Sequence, residues 1–356
     1  MNNFAAKSSI MSNYKFLKAV VVFVFLLCFS QLLMAQKRVK NESVVLAYVT
    51  SWSSVIPSPD VVTHINYAFG HVDSTFSGVK VDKPQRIAAI AALKQKNPHL
   101  KVLLSVGGWG SGRFSEMAAD AGLRAKFAKD CKRIVKQYNL DGIDIDWEYP
   151  TVNAAGISSS ENDTENFTLL MRDIRKAVGK KKLLTLATVC DAKYIDFPAI
   201  IPFVDFVNIM AYDMAMGIAK HHSPLFTSEN TLHLSAANSI DAHLAAGVPA
   251  HKLVLGVPFY GRGNNELRQS ESYSRMPALP EGFEEKWDEV AHASYIANAK
   301  GEFVFGYETP RSLAAKCRYA KENGLKGIMF WEYSGDTPDN VLCKTIREYF
   351  HFTTQK

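Results

Sequence analysis

Residues 141 to 150 read Asp-Gly-Ile-Asp-Ile-Asp-Trp-Glu-Tyr-Pro. Side chains alternate across a β-strand, so Asp144, Asp146 and Glu148 share one face while Ile143, Ile145 and Trp147 take the other. A solvated acidic edge strand has no use for the interleaved Ile-Ile-Trp. A strand in a parallel barrel has a place for both sets: the apolar set faces the surrounding helices, and the acids point inward near the carboxyl end, where barrel active sites lie. Carboxylates whose Cα atoms are ~6.5–7 Å apart at each step of two residues repel one another. Each must be protonated, hydrogen-bonded or paired.

The rest of the chain repeats the same unit, a short apolar run followed by a helical stretch. The strand-like runs are Val44–Val49, His64–Phe69, Lys101–Val106, Gly142–Trp147, Leu183–Val189, Phe206–Tyr212, Leu253–Phe259 and Gly327–Trp331. Between them, Leu123, Phe127, Cys131, Ile134, Val135 and Tyr138 stripe one face at helical spacing, and residues 86–96 and 166–178 behave alike. Thr309-Pro310 reads as a helix start and Asn323-Gly324 as its end. Eight strands alternating with helices predict an α/β fold, a (β/α)8 TIM barrel. A doubly wound open sheet would carry a glycine-rich turn after its first strand, and Ser51-Trp52-Ser53-Ser54 is not one. The stretch 262–306 is read as a short, irregular rim insertion between strands seven and eight.

Of 356 residues, 47% are hydrophobic and 21% charged, which excludes a disordered chain. The formal charge is +6; without Lys7, Lys15 and Lys18 of the leader, 38 basic residues face 35 acidic ones. No Lys/Arg-rich block occurs, so no nucleic-acid partner is expected. Residues 1–35 combine those lysines, the apolar run Ala19–Phe29 and a small residue at Ala35. They read as a signal peptide cleaved before Gln36, which leaves an exported chain, 36–356, off the membrane. Retention of the leader as an anchor is the alternative. Cys131, Cys190, Cys317 and Cys343 have no metal-ligand spacing. Cys131 reads as a buried thiol, and Cys317 and Cys343 fall on consecutive helices, where a bridge is one open pairing. The adjacent His221 and His222 lack further ligands nearby. No metal or cofactor is expected, and the chain is taken as a monomer.

Coupled acids share protons, so the acidic strand should hold a neutral carboxyl near neutral pH, which is what a general acid needs. Glu148, last on the strand, is the acid that a substrate can reach; Asp144, deepest, tunes Asp146. Ser105 has the parity to point at the acids, and Gly107-Gly108 permits a tight turn. Met210 and Tyr212 end strand six. Tyr48, Phe69, Trp109, Tyr260 and Trp331 all fall at strand ends, and such aromatic surfaces stack against sugar rings.

The motifs at 141–150, Ser105-Val-Gly-Gly-Trp109, Met210-Ala-Tyr-Asp213 and Gly327-Ile-Met-Phe-Trp331 together resemble the family-18 glycoside hydrolases, the chitinase family, over about residues 44–350. The resemblance implies an endo-acting, retaining hydrolase of β-1,4-linked N-acetylglucosamine, as polysaccharide or oligosaccharide, with the substrate's acetamido group as nucleophile. It implies that Glu148 is the acid and base, Asp146 orients the acetamido group, Asp144 relays charge to Asp146, and Tyr212 bonds the acetamido carbonyl. Trp331 becomes the sugar floor. Substrate binding extends to Met210, Asp213, Tyr149, Gly108, Trp109, Tyr260, Tyr48 and Phe69. Residues 262–305 look short for the walled insertion of larger members, so an open, non-processive groove is expected. The rivals are an endo-N-acetylglucosaminidase on N-glycan cores or a muramyl-glycan hydrolase, a non-catalytic lectin, and a Mg²⁺ site on the acidic strand.

Overall fold

The eight apolar runs become eight parallel strands of a closed barrel, in a computed structural model that describes residues 43–350 apart from Asn265, Pro277 and Ala278. The leader lies outside the described residues. In chain order the strands are β1 (Val44–Thr50), β2 (His64–Val72), β3 (Val79–Val81), β4 (Lys101–Gly107), β5 (Gly142–Asp146), β6 (Leu183–Val189), β7 (Phe206–Met210) and β8 (Leu253–Pro258). Then come β9 (Tyr260–Gly263), β10 (Ser270–Ser272), β11 (Glu284–Asp288), β12 (Ala293–Ala297), β13 (Phe303–Tyr307) and β14 (Gly327–Trp331). The barrel runs β1-β2-β4-β5-β6-β7-β8-β14 and closes where β14 pairs in parallel with β1, Val44 opposite Gly327. β3 is a short antiparallel addition to β2.

The alternation of β5 works as its sequence requires. Ile143, Ile145 and Trp147 are buried among the helices, where Trp147 stacks on Phe114 at 5.3 Å and meets Phe167 edge-on at 5.8 Å. Each such isoleucine contributes roughly 1.5–3 kcal/mol by leaving water. Helix α1 is Pro84–Ala91, α2 Phe114–Ala119 and α3 Ala121–Gln137. The side chain of Asp120 caps α3, accepting from the Leu123 N–H at 2.8 Å, and its inner face buries Phe127, Cys131, Ile134 and Val135. α4 (Asp163–Val178), α5 (Phe197–Ile200) and α6 (Ala236–Ala245) follow. α7 (Pro310–Glu322) carries the expected Thr309 cap and first-turn proline, and α8 (Val341–Tyr349) ends the described chain.

One expectation needs correcting. Residues 260–307 are not an irregular excursion: β9–β13 form a five-stranded antiparallel sheet in the order β10-β9-β13-β12-β11. It has its own core of Met276, Ile296, Val304, Phe305 and Tyr307. Its strands are three to five residues long, and the two edge strands, β10 and β11, are mostly polar and largely exposed or half-buried, so the sheet leaves no continuous apolar pattern in the sequence. The barrel rim is therefore flanked by a sheet and not bare. The open question of a bridge is answered in the negative: Cys317 and Cys343 are both fully buried free thiols, and Cys131 and Cys190 are free and buried as well.

Candidate active site

Asp144 is the best-satisfied acid of the strand. Tyr48 Oη and Ser105 Oγ each donate to its Oδ2 at 2.8 Å, while Thr185 Oγ1 at 2.5 Å and Asn208 Nδ2 at 3.2 Å donate to Oδ1. Those donors come from β1, β4, β6 and β7, so the barrel itself converges on one buried carboxylate. Burial raises its pKa above the usual carboxylate value, and the four hydrogen bonds offset only part of that rise. Four donors occupy the lone-pair positions of the carboxylate.

Asp146 is 3% exposed, and its Oδ1 has no hydrogen-bond partner among the described residues. Burial, then Glu148, then Asp144 push its pKa well above the usual carboxylate range. Glu148 is pushed up to about 7, mainly by burial, with Asp213 adding to it and a hydrogen bond from Tyr149 opposing it. All three carboxyls therefore have raised pKa values, and Glu148, just past the end of β5 and nearest the mouth, is the one brought close to neutral pH. A carboxyl that is still partly protonated near neutral pH is what acid catalysis requires.

Gly107 and Gly108 let β4 meet β5 at the mouth. Gly107 has φ +132°, and a Cβ there would lie 1.9 Å from the carbonyl oxygen of Asp146. Gly108, at φ +92°, donates its N–H to that same oxygen at 2.8 Å and packs against the ring of Phe69. No side chain fits at either position.

Asp146, Glu148 and Tyr149 line a cleft of about 630 Å³ together with Tyr48, Phe69, Trp109, Met210, Tyr212, Asp213, Tyr260 and Trp331. Trp331 is stacked on Phe69 at 5.7 Å and tilted against Tyr48 at 5.6 Å. Tyr149 meets Trp109 edge-on at 6.4 Å, and Tyr212 meets Tyr260 likewise at 6.3 Å. Tyr212 reaches the cleft by a route that alternation does not describe. β7 ends at Met210, and the Ala211 N–H turns back to Ile209 O at 2.9 Å. The peptides Ala68–Phe69, Glu148–Tyr149 and Trp331–Glu332 are cis, each beside a cleft-lining side chain.

Sequence reasoning missed Trp52 and Arg262. Trp52 is 60% exposed, lies 6.2 Å from Trp331 and lines the cleft. Its position two residues after β1 was the available signal. Arg262 holds Asp213 with both arms, Nε to Oδ1 at 2.8 Å and Nη2 to Oδ2 at 3.0 Å, and lies 5.0 Å over Tyr260. Burial alone would raise the Asp213 pKa, but His222 and Arg262 hold it well below the usual range. Among the described residues, no group of three or more His, Cys, Asp and Glu is placed to hold a metal ion.

An eight-stranded α/β barrel whose cleft joins a carboxyl of raised pKa to aromatic side chains fits a hydrolase of sugar bonds. Residues 44–336 match the family model described as "Glycosyl hydrolases family 18", and the chain belongs to that family of glycoside hydrolases. It is 36% identical over 313 residues to Chitinase A1 of Niallia circulans, covering 74% of this chain but only 44% of that relative's length. Chitotriosidase-1 of Mus musculus is 32% identical over 349 residues, covering 84% of this chain and 74% of the relative. Among solved structures, a family-18 N-acetylglucosaminidase from Paenibacillus barengoltzii is 33% identical with a TM-score of 0.79, covering 86% of this chain and 99% of that one. A Group IV chitinase of Ostrinia furnacalis in complex with allosamidin is 26% identical with a TM-score of 0.77, covering 86% and 98%.

Proposed function

We propose that the chain is an exported, endo-acting hydrolase of β-1,4-linked N-acetylglucosamine glycans, chitin or its oligosaccharides, that retains anomeric configuration through the substrate's own acetamido group. One observation carries the mechanism: beside Glu148 the cleft offers no second carboxylate suited to act as a nucleophile. Asp213 is occupied by Arg262 and Asp144 by four donors; Asp146 has an unpartnered Oδ1, but burial, Glu148 and Asp144 raise its pKa and so disfavour the ionised form that would attack. Asp146, protonated or not, is suited to orient an acetamido N–H, and Tyr212 to hold its carbonyl. Glu148 then protonates the leaving oxygen and, once deprotonated, activates water. Chitin as substrate is supported by relatives named chitinases. Endo action is supported by Trp52 and Trp109, 60% and 61% exposed, which extend aromatic surface past the central residues.

Product analysis on chitin oligosaccharides beside a high-mannose glycopeptide tests the substrate. Cleavage of the oligosaccharides alone is expected; cleavage of the glycopeptide alone overturns the reading. Export with cleavage before Gln36 is read from the N-terminal mass of the mature protein, and an intact leader contradicts it. The pH profile follows from Glu148. The acid works only while protonated, so kcat/KM should fall tenfold per unit as pH rises beyond about 7. An alkaline limb centred near pH 4.5 would mean an unshifted carboxylate and a different acid.

A further inference from the structure

A buried ion pair stands behind the segment that delivers Tyr212. Lys316, on α7, has no exposed surface, and Glu308, just before the Thr309 cap of that helix, has 2%. Lys316 Nζ bonds the Glu308 carboxylate, the Ser223 carbonyl oxygen and, at 2.9 Å, Ser223 Oγ, so all three of its protons are committed. Ser312 Oγ donates to the other Glu308 oxygen at 2.6 Å. Ser223 Oγ in turn donates to the carbonyl oxygen of Ala211 at 2.8 Å. Ala211 is the residue between Met210 and Tyr212, at the point where the chain leaves β7.

The next residues are held from the same loop. His222 Nδ1 lies 3.4 Å from the Asp213 backbone nitrogen and 3.5 Å from Asp213 Oδ1, and His222 O accepts from the Met214 N–H at 3.0 Å. The backbone on either side of Tyr212 is thus tied to residues 222 and 223, and residue 223 is tied to Lys316. Tyr212 lies past the end of β7, so the ladder of that strand does not fix its backbone.

The geometry points to Lys316 and Ser223 as positioning residues for the reaction: Glu308 anchors Lys316, Lys316 anchors Ser223, and Ser223 fixes the Ala211 carbonyl and so the phenol of Tyr212. This inference rests on the proposed role of Tyr212 at the acetamido group. A buried charge pair is weak evidence of stability, since well-packed apolar residues often replace one without loss. Its location against a catalytic segment is what assigns it a role.

The test is a double-mutant cycle of Ser223→Ala and Tyr212→Phe, measured as kcat and KM on a chito-oligosaccharide, with thermal unfolding recorded for each. Ser223→Ala should lower kcat about tenfold with KM within about threefold, and Ser223→Thr should restore kcat because it keeps the hydroxyl. Added to Tyr212→Phe, it should cost little more, because both act through one phenol. The pair variant Glu308→Gln with Lys316→Met, which removes both charges together, should show the same kcat loss and the same lack of additivity. Wild-type kcat in a folded Ser223→Ala enzyme, or full additivity with Tyr212→Phe, overturns the relay while leaving Tyr212 in its role. A Tyr212→Phe enzyme with wild-type kcat overturns the role of Tyr212 and the relay with it.

Discussion

Glu148→Gln is expected to fold, to keep its grip on chito-oligosaccharides, and to lose turnover by roughly 10²–10⁴-fold, the usual contribution of a general acid. The amide matches the carboxyl in shape and fills the same place beside Tyr149, but it cannot give a proton to the leaving oxygen. Comparing kcat with the dissociation constant of an oligosaccharide separates these effects: kcat should collapse while binding holds. A variant retaining more than about a tenth of wild-type kcat would remove Glu148 as the acid. Stability gives an independent check. The Glu148 pKa is raised on folding to about 7, so its contribution is whole below its ordinary pKa of about 4.3 and is lost as pH rises toward 7. Gln has no such loss, and the variant should be at least as stable as the parent at pH 8.

The second large effect concerns the substrate. Replacing the N-acetyl group by a free amine on the sugar that precedes the cleaved bond should abolish cleavage at that bond, because the one unpartnered carboxyl nearby, Asp146, is disfavoured in its ionised form. A thiazoline analogue of the cyclised intermediate should inhibit. Cleavage of the deacetylated bond at more than a hundredth of the parent rate, or a glycosyl group trapped on Asp146, would require a protein nucleophile instead.

Much of this site was legible because strands impose a period of two. The alternation in 143–148 placed three acids against two isoleucines and a tryptophan, and the parity of Ser105 placed its hydroxyl on Asp144. The eight barrel strands were legible as apolar runs because both of their faces are buried. What was not legible depends on long-range contact. Arg262 meets Asp213 across 49 residues, from a sheet whose edge strands are mostly polar and largely exposed or half-buried and so leave no apolar pattern. Trp52 belongs to a loop whose composition points nowhere. Lys316 looks in sequence like one more helix lysine, and only the packing of α7 shows its head to be wholly buried against Ser223. Tyr212 was assigned to a strand that stops two residues earlier, because an apolar run does not announce the turn that ends it.

The central claim is that Glu148 and the substrate's acetamido group together break the bond with retention. Proton NMR of the anomeric signals during the first minutes of chitotetraose hydrolysis by the wild-type enzyme tests it most directly. The account predicts β-anomer as the initial product, relaxing later to the α/β mixture by mutarotation. Initial α-anomer would contradict it, since that requires direct attack by a water on the opposite face of the sugar.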